Sequence, residues 1–244
     1  MTSARQIYLG SRRGPALPYD SEVEWIESPY VSHFERPTHY IDTGVKAETG
    51  YVATMDIQSS STVVENGVLL AAVFNGRRLH YFATWPARNF FIGYNDSYKS
   101  QSGYAVNTRY LLKSSLNNGS QSLFVNGEQK IQLSIAENLS FNGNLYLFCA
   151  NIDGTPQFQW PGKVFRVVIT KDDVVIRDMI PVRFTNEAGQ SEGAMYDRAS
   201  KQLFRNAGTG AFGFGTDIAG GGYKCLGYSP LRFSRFSRLW KEAA

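Results

Sequence analysis

Three of this chain's Asn-Gly steps, each between apolar runs, restrict it to a fold built from hairpins. Asn66-Gly67, Asn75-Gly76 and Asn126-Gly127 each sit beside stretches rich in β-branched and aromatic residues. A tight hairpin turn needs positive φ at both central positions, which asparagine tolerates and glycine adopts freely. All three steps therefore read as hairpin turns. Val68–Phe74 is expected to pair with Leu79–Ala83, and Ser122–Val125 with the run after Gly127. Tyr51–Ile57 alternates with period two, the pattern of a strand with one buried face. Phe90–Tyr94, Tyr104–Val106, Thr108–Leu112 and Asn144–Ala150 read as further strands. Strands this short and this frequent, with turn residues between them, are the pattern of a sandwich.

A second stretch, from Lys163 to Phe212, repeats the theme. Val164–Ile169 alternates, breaks at Lys171-Asp172-Asp173, and resumes over Val174–Ile180, which is strand, polar turn, strand. Ala194–Asp197 and Gln202–Asn206 flank the turn Arg198–Lys201 as another hairpin, closed by Gly208-Thr209-Gly210.

These motifs, with YIDTG at Tyr40–Gly44, RDMIP at Arg177–Pro181, GAMYD at Gly193–Asp197 and LFRNAGTGAF at Leu203–Phe212, resemble those of the lectin-like jelly rolls related to laminin G and concanavalin A. Such domains are widespread in phage and gut-bacterial proteins. The resemblance runs from about Val23 to Gly215. It implies an all-β jelly-roll sandwich of two antiparallel sheets, and it implies little about activity, because one fold carries many functions.

The ends differ from the middle. Residues 1–20 hold Arg5, Arg12 and Arg13 with Gly10, Gly14, Pro15 and Pro18, which reads as an extended arm. The N-terminus lacks the apolar core of a secretory signal, so either a mature chain or assembly in a cytoplasm is expected. Residues 21–215 form the expected domain, and 216–244 a glycine-rich linker and a basic tail. In that tail Ser229-Pro230 can start a helix. Phe233, Phe236 and Trp240 then recur on one stripe beside Arg232, Arg235 and Arg238, a short amphipathic helix expected to dock on a partner. Basic ends on a mildly acidic body suggest anchoring arms rather than a nucleic-acid face. No apolar run is long enough to span a bilayer.

Candidate chemistry is sparse. Glu22, Glu24 and Glu27 loosely resemble the paired acids of laminarinase-type glycosidases, but on a regular strand Glu27 faces away from the other two. They read as solvated acids on an opening strand, and no enzyme is expected. His33, His39 and His80 lack metal-ligand spacing. Asp42, Asn151 and Asp153 offer oxygens for calcium, yet each reads as a backbone-binding turn or strand residue, so no cofactor is expected. Cys149 reads as a small buried hydrophobe. Trp85, Tyr94, Tyr98, Gln157 and Trp160 are the candidate glycan-binding set, since rings can stack on the apolar face of a sugar while amides bind its hydroxyls.

The expected function is a non-enzymatic phage virion protein, for capsid decoration, a head fibre or the tail. Its arms would join neighbouring subunits and its lectin-like domain would meet cell-surface glycans. The alternative is a carbohydrate-binding module on a bacterial surface.

Overall fold

The structure is a computed structural model and describes residues 17–29, 36–60, 66–84, 88–117 and 119–218. The arm up to Ala16, Trp85, His33, Cys225 and the tail from Ala219 onward, with Arg232, Phe233, Arg235, Phe236, Arg238 and Trp240, lie outside the described residues.

The chain forms β1 (Ser21–Glu22), β2 (Ile26–Ser28), β3 (Ile41–Glu48), β4 (Tyr51–Ser59), β5 (Gly67–Phe74), β6 (Arg77–Thr84) and β7 (Asn89–Asn95). Next come β8 (Ser97–Ser102), β9 (Arg109–Asn117), β10 (Ser120–Val125), β11 (Glu128–Ser134), β12 (Ser140–Leu147), β13 (Cys149–Ile152) and β14 (Thr155–Gln157). The last are β15 (Gly162–Lys171), β16 (Val174–Thr185), β17 (Ser191–Asp197), β18 (Gln202–Phe204) and β19 (Gly213–Phe214).

Among the described residues these strands make two sheets packed as a jelly-roll sandwich. One has the order β11-β10-β9-β4-β15-β16-β17-β18, with β1 on β16, β2 on β15 and β19 on β2. The other has the order β14-β13-β5-β6-β7-β8, with β12 bridging β5 and β3. Met55, Ile57, Leu112 and Val167 of the first sheet share one core with Leu69, Leu70, Tyr81, Phe82 and Ile92 of the second. Cys149 is a free, buried thiol in the same interior.

The hairpins form where residue chemistry demands them. Asn75-Gly76 (φ 50° and 75°), Asn126-Gly127 (φ 52° and 87°) and Asp172-Asp173 (φ 49° and 61°) all adopt the doubly positive turn. Four expectations need correction. Asn66-Gly67 is not a hairpin turn, because β4 and β5 belong to different sheets. Glu22–Glu27 is not one strand, because β1 pairs with β16 whereas β2 pairs with β15 and β19. Asn144–Ala150 breaks at buried Phe148 (φ 74°), where the chain folds back so that β13 runs parallel to β5, while the other strand pairs among the described residues are antiparallel. Tyr104–Val106 is a loop whose Tyr104 ring packs edge-on against Phe90 at 5.6 Å.

Asp197 ties the late hairpins together from a fully buried position. Its carboxylate accepts from the Asp178 amide (2.7 Å), the Ala199 and Ser200 amides (both 3.1 Å) and the Ser200 hydroxyl (2.6 Å). Burial alone would push its pKa up, but these four donors outweigh it and the net shift is downward. The Asp197→Ala variant is expected to lose about 2–4 kcal/mol in urea unfolding, since it leaves several buried amides unpaired. Because the folded pKa lies below the ordinary value of 3.8, the carboxylate's contribution is complete above that value and fades as pH falls through the folded one. A parent-like unfolding curve for the variant would contradict this role.

Candidate functional site

β5 and β7 turn apolar residues to both faces, and β6 adds Ala83 beside Arg78 and His80 on the outside, which is unusual for a sheet with one face already in the core. The ladders of β5 with β6, and of β6 with β7, shift register at Val68/Leu70, Leu70/Ala71 and His80/Ala83. These bulges let two successive residues, Leu69-Leu70 and Tyr81-Phe82, both enter the core. Val68, Ala71 and Ala83 are left on the outer face, where they cluster with Phe91 and Ala150 under Ile152 and Phe158.

A row of cross-strand partners crosses this face: Gln157, Ala150, Ala71, His80, Gly93 and Tyr98. At about 4.8 Å per strand, the row is about 24 Å long. Its middle positions carry little or no side chain apart from His80, so the surface dips there. A β-carbon on Gly93 would sit 3.2 Å from Phe91 Cε1 and 3.7 Å from Arg78 Cδ, which makes Gly93 the low point between those side chains. The resulting trench holds a cavity of about 290 Å³ lined by Asn66, Arg78, His80, Phe91, Tyr98 and Phe158, with Val68 and Ala83 at its base. Such a volume lies near the lower end for small-ligand sites.

Each lining group has a local cause. The bulge beside His80 leaves its carbonyl free to accept from buried Gln121, 2.7 Å away on the opposite sheet, which fixes the backbone under the trench. The His80 ring packs against Phe91 (5.7 Å), and Phe91 in turn stacks with Tyr98 (5.6 Å, 29°). Phe158 has positive φ (58°), and its carbonyl accepts from the Val68 amide at 2.9 Å.

His80 is the unusual member. Both ring nitrogens are shielded from solvent and have no hydrogen-bond partner among the described residues. Burial, and then the nearby Arg78 charge, push its pKa down to about 3, so the imidazole is neutral at ordinary pH. Neutral imidazole offers one donor and one acceptor. Leaving both unused costs about 1–3 kcal/mol, a cost retained in the absence of a ligand.

The candidate glycan-binding residues divide. Tyr98 is 51% exposed and stands at the trench rim, and Gln157 ends the same row on β14. Trp160 is a correction: it is 1% exposed, because its ring fills the core against Phe148 (6.3 Å). Gly162, at φ 147°, leaves the space this indole needs. Tyr94 is also a correction, 2% exposed in the core with its hydroxyl donating to the Glu137 carbonyl. The sequence reading missed Arg78, His80, Gly93 and Phe158. The available signal was the pair of adjacent bulky doublets, Leu69-Leu70 and Tyr81-Phe82, which no period-two strand can send to one side.

Other candidates stay apart from the trench. Glu22 pairs opposite Val182, Glu24 is exposed in the bend, and Glu27 lies opposite Lys163 and Gly213. His39 is buried and bonded to the Ala211 carbonyl (3.0 Å). Asp42 accepts from the Gly44 amide and the Asn144 side chain, both at 2.9 Å. Asn151 binds the Asn144 carbonyl and Gly154, and Asp153 binds the Asn75 turn. These oxygens serve turns and strands, and no cluster of three or more acidic, histidine or cysteine side chains suited to a metal occurs among the described residues. A second, more polar cleft of about 570 Å³ lies by Glu27, Gln58, Ser59, Asn107 and Lys163.

No protein-family model matches the sequence, and no curated protein matches it. The fold does have solved counterparts. A putative carbohydrate binding protein from Bacteroides ovatus superposes with a TM-score of 0.54 at 12% identity, covering 81% of this chain. The match spans 61% of that protein. The CBM40 module of a Ruminococcus gnavus sialidase, solved with α2,3 sialyllactose, reaches 0.47 at 15% identity over 64% of this chain and 95% of its own. A CBM66 module from Bacillus subtilis reaches 0.29 at 13% identity over 63% and 97%. The last two superpose too loosely to bear on the site.

A His80→Leu variant removes two unpaired polar atoms and keeps apolar bulk. It is expected to unfold in urea at the parental concentration or higher. The parent, whose native His80 resists protonation between pH 6.5 and about 3, should lose stability as pH falls through that window, because only the unfolded chain binds the proton. The variant should lack that component. A stability loss above about 2 kcal/mol in the variant would show that the nitrogens are satisfied in the folded protein.

Proposed function

We propose that this chain is a non-catalytic carbohydrate-binding module whose glycan site is the trench across β5, β6, β7 and β8. One observation carries the reading: an apolar dip on an outer sheet face, with Gly93 set low between Phe91 and Arg78, floored by a histidine whose two ring nitrogens have no partner among the described residues and rimmed by an exposed tyrosine. A sugar ring presents an apolar C–H face and a polar edge. Tyr98 and Phe91 supply the matching apolar surface, and Asn66, Arg78 and His80 supply the polar groups. The likeness in fold to a putative carbohydrate binding protein from Bacteroides ovatus supports the same class.

The acids once weighed for hydrolysis, Glu22, Glu24 and Glu27, line no part of the trench. The virion reading drew on the family resemblance and on the terminal segments, and no observation on the described residues favours it over a bacterial carbohydrate-binding module. Glycan recognition belongs to both readings, and the trench would perform it in either setting.

A glycan array followed by titration calorimetry tests the proposal. The parent should bind a subset of glycans. Gly93→Val fills the dip, and Tyr98→Ala removes the rim ring; each should weaken binding at least about tenfold, roughly 1.4 kcal/mol. Tyr98→Ala should keep the parental melting temperature, because Tyr98 is exposed; Gly93→Val must push aside Phe91, 3.2 Å from the new β-carbon, and should melt somewhat lower. Failure to bind any glycan, or parental affinity in both variants, would overturn the assignment.

A further inference from the structure

The trench wall carries one charged side chain, Arg78, among its described lining residues. We infer that the site selects glycans bearing a carboxylate, and that Arg78 is the residue that reads it. The inference rests on the glycan-binding reading above and narrows it to acidic sugars.

Arg78 lies on the same outer face as His80, in the adjoining cross-strand row between Val73 and Asn95. Its Cδ passes over Gly93, which places its side chain along one wall of the dip. The guanidinium's hydrogen bond is a long one, 3.5 Å to the Asn95 carbonyl, at the weak end of the range. Elsewhere the ion pairs of the described residues engage Arg77, Arg109, Arg166, Arg177, Arg183 and Arg198. Arg78 is in none of them, although it borders the apolar trench. Among the described lining residues none is acidic.

A guanidinium offers a planar fork of donors that matches the two oxygens of a carboxylate. A charge-assisted bond of that kind is about twice as strong as one to a hydroxyl, and the apolar surroundings of Val68, Ala83, Phe91 and Phe158 reduce screening. His80 complements the cation without adding to it. Held neutral, it offers one donor and one acceptor to the hydroxyls beside the acid group. The fork fits the two oxygens of a carboxylate, whereas a sulfate ester of the same single charge presents three oxygens and calls for more donors.

The test uses calorimetry on a panel of oligosaccharides terminated by galacturonate, glucuronate, mannuronate or a sialic acid, each with its neutral counterpart and a sulfated analogue. The parent should bind at least one carboxylated member tenfold or more tightly than the matching neutral sugar, and raised salt should shrink that gap. Arg78→Gln should erase the difference in affinity between the acidic sugar and its neutral counterpart. Tyr98→Ala should weaken both alike. Equal binding of acidic and neutral sugars, a preference for the sulfated analogue, or a preference that survives in Arg78→Gln would overturn the inference while leaving glycan binding intact. If no sugar of any charge binds, the broader assignment falls with it.

Discussion

The outward apolar face of β5, β6 and β7 is the constraint on which this account depends. A sandwich sheet ordinarily buries one face and turns polar residues to water. Here the bulges at Leu69-Leu70 and Tyr81-Phe82 send paired large residues into the core and leave Ala71, Ala83 and His80 outside. Small residues next to large aromatic ones produce a depression instead of a flat polar surface. An apolar depression with unused hydrogen-bonding capacity weakens the folded chain slightly, and such features persist where a ligand completes them.

The polar networks that do stabilise the fold lie elsewhere. Asp197 holds the late hairpins, Arg109 forks onto Asp56 with two bonds of 2.8 Å, and Gln159 donates to the Ser28 hydroxyl (2.6 Å) while accepting from the Thr38 amide (3.0 Å). Each is saturated with partners supplied by the chain itself. The contrast with His80 separates groups that build the sandwich from a group left available. It also explains why motifs such as YIDTG and RDMIP speak to fold and hardly to function: Arg177 donates to the Thr43 carbonyl at 2.9 Å, and Asp178 binds Arg166 and Arg198.

Much of the fold was legible in the sequence, because hairpin turns are written in local chemistry. Asn75-Gly76, Asn126-Gly127 and Asp172-Asp173 turn where φ must be positive. The jelly-roll class followed from those turns and from the late motifs. The site was legible only in part. Tyr98 and Gln157 lie on its row, but Trp160 and Tyr94 went to the core, since an aromatic residue near a loop carries no mark of which way it faces. β8 went unread because SYKSQS has no apolar alternation; it is an exposed edge strand held by pairing with β7. Arg78, His80 and Gly93 became a site only through cross-strand register, which depends on bulges that no single strand reveals.

The most direct test locates the ligand rather than its affinity. With a glycan that binds, amide chemical-shift perturbation mapped on the isotopically labelled protein should centre on His80, Phe91, Gly93 and Tyr98 and fade toward the opposite sheet. Perturbation centred instead on Gln58, Ser59, Asn107 and Lys163, at the polar cleft between β2, β4 and β15, would contradict the account and move the site off the trench.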